Sequence, residues 1–539
     1  MKTQCLPYAQ IPHTTRLFLD YLSASPKIQQ FYPRYPNFTE WMTQETPGPR
    51  YDAQRRARVS EILERQNRHW NASEKTMANI ARLRAGANAA VTGQQVGLFG
   101  GPVFSIYKAL TAVRLAEEAT AAGHDTVPVF WIATTDHDLA EINHTALPGP
   151  NAVLQTLATA SHDVEDAPVG TVHFGEEIQT VVQTAAEILG DSPATDLLRE
   201  CYHTGETLGS AFALLFARLF ADWGVILLDP SDPELHAIAA PIYATAIERA
   251  AKIDDALLAR GKELEQAGYH QQVKITPSST LLFTIKDGAR TPIHRRLNGH
   301  STEFLVGDEK ISQDDLLRQI AASPEKFSPN VLLRPVVQDH LLPTLAYTGG
   351  AAEVAYFAQA GVVYQELKGH VTPILPRFSA TVVEPKLQGL LDRYALTLTD
   401  LFEGEDALRE KIAARILPVE LQKAFDRAGA TLDASLVAVK EALVKLDKTL
   451  AEAADNAASK MQHQLETLRG RAARAELRQS ELAARHAQQL SVSLYPNKTL
   501  QEREIAAIYY IARHGTDFLK EAYENLHPDC HDHQVITLD

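Results

Sequence analysis

Seven uncharged residues, Val127-Pro128-Val129-Phe130-Trp131-Ile132-Ala133, run towards Asp136. A segment of that length and character fits a strand buried on both faces. Upstream, Ala89-Ala90-Val91 runs into Thr92-Gly93-Gln94-Gln95. Beyond Gly100-Gly101-Pro102, an apolar stripe of Val103, Ile106, Leu110 and Val113 at helical spacing ends near Gly123. Proline at the first helical position and glycine after the last turn are the punctuation such a helix needs. Strand, glycine turn, helix and buried strand make a βαβ unit, which demands a parallel sheet with a right-handed crossover.

Further elements extend that sheet. Phe212–Phe220 reads as a helix, and Gly224 through Pro230 as a second buried strand closing on a turn. Val331–Leu333, Val362–Gln365 and Val371–Leu375 read as strands around a Gly349-Gly350 turn, and residues 270–310 alternate like an antiparallel hairpin. Between 150 and 200 the pattern is mixed, as in an insertion. The expected fold is therefore α/β, a doubly wound, Rossmann-like parallel core over 88–385 with inserted connecting segments. Residues 1–87 precede it, turn-rich around Phe31–Phe38 and helix-permissive over Tyr51–Leu83.

Past a helical connector at 386–419, proline and glycine nearly vanish, and residues 420–490 are rich in Ala, Leu, Lys, Glu, Arg and Gln. Leu432, Leu436, Val439 and Leu443 keep helical spacing, as do Leu450, Ala453, Ala457, Met461, Leu465 and Leu468. Thr449-Leu450-Ala451-Glu452 matches a capping box, which predicts a turn near Leu446–Lys448 and two antiparallel helices in a protruding coiled coil. The rival is one continuous helix pairing with another subunit. Residues 491–539 return to the core, with Ile505–Tyr523 as a closing helix.

At 539 residues the chain is too long for a single core. Its net charge of −15, from 67 acidic and 52 basic side chains, disfavours nucleic acid as a partner, so an anionic ligand must be caught by a few placed cations or backbone N–H groups. Three scattered cysteines, Cys5, Cys201 and Cys530, make neither a disulfide framework nor a zinc knuckle. With no signal-like start and no apolar run near 18 residues, the expectation is a cytoplasmic protein with no membrane partner.

Three stretches could carry chemistry. Gly93, Gln94, Gln95, Gly97, Gly100 and Gly101 sit between a strand and a helix, with Lys108 less than two turns further on. Glycines there admit a ligand close to the backbone, and the helix start offers N–H groups to an anion. The spacing is neither GxGxxG nor Walker A, and the bland alternative is a packing turn. Asp136, His137, Asp138, Glu141 and His144 follow the buried strand, at the sheet edge where open α/β folds bind ligands. They could position an amine, accept a proton or hold a divalent cation, though no tight protein-ligated metal is expected. Arg334, Gln338, Asp339, Tyr347 and Glu353 flank the Gly349-Gly350 turn, with Arg334 a candidate carboxylate fork. Tyr495, Asn497 and Arg503 could contact a nucleotide or merely dock the arm. Arg295-Arg296 fits a solvated hairpin edge, and His527, Cys530, His531 and His533 a surface segment without zinc spacing.

In order, VTGQQVGLFGGPVFSIYKAL, VPVFWIATTDHDLAEINH, NVLLRPVVQDHLLPTLAYTGGAAEVAYFAQ and SLYPNKTLQERE resemble the bacillithiol-biosynthesis cysteine-adding family over most of the chain. The resemblance implies a Rossmann-like core, a coiled coil that makes a homodimer, and the last step of bacillithiol synthesis, joining cysteine to glucosaminyl-malate. That core is in turn similar to class I aminoacyl-tRNA synthetases and nucleotidylyltransferases. The analogy puts ATP or another activating nucleotide, with Mg²⁺ as a candidate companion, beside Gly93–Gly101 and Lys108. It puts cysteine or the amine near Asp136, His137, Asp138 and His144, and the malate carboxylates near Arg334. No cysteine-plus-histidine set of the kind cysteine-activating relatives use to grip a thiol is evident in the core. The competing reading is a scaffold that binds a nucleotide or sugar acid and recruits the true ligase through its coiled coil.

Overall fold

A computed structural model describes residues 2–32, 51–160, 164–298, 301–416, 418–479, 481–526 and 531–538. Residues 33–38 of the turn-rich stretch, and His527 and Cys530 of the tail, lie outside the described residues.

Five strands form the central sheet: β1 (Asn88–Gln94), β2 (Thr126–Ile132), β3 (Ile226–Leu228), β4 (Thr344–Gly349) and β5 (Ile374–Pro376). Their order is β5-β4-β1-β2-β3 and every pairing is parallel. The order reverses direction between β1 and β4, so a crevice opens there beyond the carboxyl ends of the strands. All seven residues of β2 are buried, as its composition requires. In β1, Gly93 stands opposite Trp131, where a β-carbon would lie 2.8 Å from the Trp131 carbonyl oxygen.

Helix α1 (Phe104–Ala121) crosses from β1 to β2. It opens two residues later than the proline predicts, because Pro102 instead bridges to Ala506. Gly123, at φ 94°, follows its last turn as expected. Two predicted strands are not strands. Val331–Leu333 is a turn whose Leu332 and Leu333 N–H groups donate to Asn330 Oδ1, leading into helix α2 (Arg334–Leu341). Val362–Gln365 belongs to helix α3 (Ala351–Leu367), in which Val354 through Gly361 are buried in succession. The strand before the Gly349-Gly350 turn is β4, and β5 takes up only the end of the predicted Val371–Leu375.

Between β3 and β4 lies an antiparallel five-stranded sheet in the order Glu309–Ser312, Ser301–Val306, Ala289–Asn298, Ser279–Lys286, Phe327–Pro329. Its central hairpin turns through Asp287 and Gly288, both at positive φ, the geometry that suits right-twisted strands. Arg295 is not the solvated edge its neighbours suggested: it pairs with the buried Asp254 at 3.0 Å. A third sheet sets His533–Thr537 between Lys2–Leu6 and Ala380–Val383. His533 is therefore a buried strand residue, at 0 % exposure, rather than part of a surface tail.

The arm is an antiparallel pair, α4 (Val419–Leu446) and α5 (Leu450–Gln479). Asp447 closes the turn by accepting from the Thr449 N–H and hydroxyl. Cross-links Lys440–Asp455, Asp433–Gln462 and Asp426–Arg469 step by seven residues along each helix, one heptad per rung. The continuous-helix alternative is not what forms. Returning to the core, helix Glu481–Leu494 buries Ala483, Ala487, Leu490 and Leu494. The predicted closing helix is broken at Gly515 into Ala507–His514 and Asp517–Glu524. No described helix is long and apolar enough to cross a membrane.

Candidate functional site

The crevice between β1 and β4 widens into a cavity of about 700 Å³. Gly93, Gln94 and Gln95 reach it from the end of β1, Trp131 and Asp136 from β2 and the loop after it, and Tyr347 from β4. Helix α3 points its amino end at the same space, and Ala351 and Ala352 line it.

Lys108 forms part of the floor. Although it is 3 % exposed, all three of its donors are used: Gly93 O and Gln94 Oε1 at 2.8 Å each, and Glu353 Oε2 at 2.6 Å. Burial pulls the ammonium down to about 8, against the upward pull of Glu353. Glu353 also accepts from Tyr347 Oη at 2.6 Å and Gly350 N at 2.7 Å. Burial alone would raise its carboxyl, yet Lys108 and these donors hold it below the usual range. Lysine, glutamate and tyrosine thus lock the end of β1 to the start of α3.

Arginines supply the remaining positive charge. Arg334 lies against the rings of Tyr347 and Trp131, 5.1 and 5.8 Å from their centres, and donates to Gln338 Oε1 and Tyr356 Oη. It makes no ion pair among the described residues. Arg290 enters from the inserted sheet, stacked 3.8 Å from the Phe283 ring centre and held by Ser328 Oγ and Pro329 O. Burial lowers it to about 10 despite the nearby Asp136. Arg377, following β5, and Arg503, following the arm, face Phe104 together with Lys108, each cation within 6 Å of the ring centre.

The glutamine–glycine turn and the acidic–imidazole stretch do meet. Gln95 Nε2 donates to Asp136 Oδ2 and to Glu141 Oε2, both at 2.9 Å. Asp136 and Glu141 line both this cavity and a neighbouring hollow of about 770 Å³, whereas His137 and Asp138 line only the hollow. Arg290 Nη1 donates to His137 Nδ1 at 2.9 Å, so a neutral His137 carries its proton on Nε2. Asp138 caps a one-turn helix by accepting from Glu141 N, and His144 is exposed at the start of a two-stranded ribbon, away from the cavity.

Other expected residues lie one layer back. Gly97, Gly100 and Gly101 are a buried packing turn: a β-carbon on Gly97 would meet Gly101 Cα at 2.8 Å, and the Gly100 N–H donates to Tyr202 Oη. Gln338 orients Arg334. Asp339 is sealed beneath it, taking hydrogen bonds from Tyr364, Thr372 and Gln338. Tyr495 and Arg503 line a second cavity of about 250 Å³, which shares Gly350, Ala351, Arg377 and Arg503 with the first. Asn497 is turned outward to Glu504. Sequence reasoning missed Arg290, Arg377, Trp131 and Tyr356. Arg290 stood within a recognised hairpin, one strand position from TPIHRR, but nothing local distinguishes an inward arginine.

Comparisons with known proteins agree across the chain. Residues 1–378 match the family profile described as bacillithiol biosynthesis BshC, N-terminal Rossmann-like domain, and residues 380–538 that of the BshC C-terminal coiled-coil domain. A protein of Koribacter versatilis (strain Ellin345) called "Putative cysteine ligase BshC" is 51% identical over 538 residues, covering 100% of both chains. Proteins with the same name from Solibacter usitatus and Salinibacter ruber are each 35% identical, covering 100% and 96% of this chain and of their own.

Proposed function

Since the chain belongs to the BshC family of bacillithiol biosynthesis, we propose that it is the ligase that joins cysteine to the free amine of glucosaminyl-malate, with the cysteine carboxyl activated by a nucleotide. The observation that carries this reading is the concentration of cations around one cavity of an acidic protein. Lys108, Arg290, Arg334 and Arg377 come from four separate parts of the chain and all line it. A substrate bearing two malate carboxylates suits such a wall, and Arg334, with no acidic partner among the described residues, is the fork best placed to take one.

Preorganised donors are the main way a site of this kind lowers a barrier, since they meet negative charge developing on a tetrahedral or phosphate oxygen without reorganising. Arg290, fixed by Ser328 and Pro329, keeps its place before substrate arrives, whereas Lys108, whose three N–H groups are all taken by the protein, contributes its charge and not a hydrogen bond. The attacking amine must lose a proton; of the carboxylates that line the cavity Glu353 is committed to Lys108, which leaves Asp136 and Glu141 to take it, while His137 Nδ1 is tied to Arg290. The cation cluster around Phe104, with Arg503 outside any ion pair among the described residues, fits the phosphates of ATP or a similar nucleotide, carried with Mg²⁺. Such a nucleotide supplies the leaving group that makes the cysteine carboxyl acylating.

The test is direct. Purified protein incubated with cysteine, glucosaminyl-malate and ATP should release bacillithiol together with phosphate or pyrophosphate. If neither ATP nor another activating nucleotide yields product, the ligase reading fails.

A further inference from the structure

The segment SLYPNKTLQERE contains a carboxylate that the chemistry above leaves unused. Glu502 is 1 % exposed and meets four donors. Oε1 accepts from Arg377 Nη2 at 2.6 Å and Ser379 Oγ at 2.9 Å; Oε2 accepts from Arg377 Nη1 at 3.0 Å and Ala380 N at 3.1 Å. A group surrounded only by donors is held as the anion. Ser379, having given its one proton to Glu502, must accept from His533 Nδ1 at 2.7 Å, and His533 Nε2 then accepts from Thr381 Oγ1 at 2.8 Å. The chain of hydrogen bonds therefore runs from a neutral, buried imidazole through a serine and a glutamate to a guanidinium.

What lies at its two ends differs. His533 is sealed in the third sheet, whereas Arg377 lines both cavities. A carboxylate and an arginine joined through both terminal guanidinium nitrogens have one relative orientation, so Glu502 fixes the plane of the Arg377 fork. A buried pair of this kind is a poor source of stability compared with apolar packing of the same volume. Its distinctive contribution is geometric.

Resting on the ligase reading above, we propose that Glu502 is a positioning residue for that reaction: from beyond the arm, 125 residues away in sequence, it holds the Arg377 guanidinium on the wall shared by the two cavities, ready for an anionic group of glucosaminyl-malate or of the nucleotide. Ser379 and His533 hold Glu502 in turn.

Steady-state kinetics on full-length protein separates this role from a structural one. In Glu502→Gln an NH₂ group would face two donors, so the fork should turn. The expected result is a KM at least tenfold higher for glucosaminyl-malate or ATP, with kcat and the KM for cysteine changed less than threefold. Arg377→Ala should raise the same KM, and the double variant should be no worse than Arg377→Ala alone. A purely structural Glu502 would lower the melting temperature and the active fraction while leaving KM unchanged, and would add to Arg377→Ala; either result overturns the proposal. Should Glu502→Gln not fold, Ser379→Ala removes one of the four donors and should shift the same KM in the same direction, and an unmoved KM in that variant overturns the proposal equally. A wild-type protein that makes no product defeats the ligase reading itself, whereas an active wild type with unaltered KM in these variants defeats only the positioning role.

Discussion

Lys108 and Glu353 show what a buried ion pair does when every remaining donor and acceptor is also matched. Replacing Lys108 with methionine leaves the carboxylate of Glu353 without its cation in a buried place, and such unpaired charges typically cost about 3–5 kcal/mol. Urea denaturation should show a loss of that size for Lys108→Met and partial recovery in Lys108→Met/Glu353→Gln, which removes the unpaired charge and keeps an acceptor beside Tyr347 and Gly350; a loss under about 1 kcal/mol would make the pair no better than an exposed one. Histidines add a pH dependence. Burial pulls His236 and His533 down from 6.5 to about 4. Between those values the unfolded chain binds a proton at each ring that the folded chain refuses. Stability therefore falls as pH drops from 6.5 towards 4, by up to about 1.4 kcal/mol per pH unit for each ring. His236→Gln should flatten that slope by one proton's worth, and an unchanged slope across the window would contradict the assignment. At this scale the sequence shows part of the site. Lys108, Asp136, Arg334, Tyr347 and Glu353 are visible because they flank glycine turns and a buried strand. Arg290 and Arg377 are not, since an arginine aimed inward from a distant segment carries no local signature.

Elements are legible where their pattern repeats and obscure where burial erases it. β2 and the α4–α5 turn are legible because an unbroken apolar run and a capping-box match between two stretches of helical spacing are local signals. Sequence alone reads helix α3 partly as strand because it is buried on nearly every side, which leaves no polar face to mark a 3.6-residue period, and Val362 and Val363 add β-branched character. β4 leaves no apolar run in the sequence because Thr344, Tyr347, Thr348 and Gly349 interrupt its apolar residues, although all six positions are buried. The close pairing of β1 and β2 makes its own prediction. In Gly93→Ala the new methyl would press on a backbone oxygen, which cannot rotate aside as a side chain could, at a cost of about 1–3 kcal/mol. Denaturation midpoints test this: a variant as stable as the parent would mean that the strands separate more easily than their register suggests.

Across the whole molecule, the third sheet joins regions that the sequence keeps far apart. His533–Thr537 is its middle strand, so a chain ending at Leu526 leaves Lys2–Leu6 and Ala380–Val383 without their shared partner and Glu502 without the His533–Ser379 support. Such a truncation should melt several degrees lower on the order expected for losing a few kcal/mol, and should show the same rise in KM as Glu502→Gln; a melting temperature equal to that of the full chain would show the strand to be dispensable. The same arrangement governs how the protein is made. A ribosome releases the parallel core, then the whole arm, and only afterwards Glu502 and the strand that braces it. A nascent chain halted anywhere within the arm therefore carries a core whose Arg377 has not yet met its partner, so the wall shared by the two cavities takes its final form only when the last segments of the chain have docked.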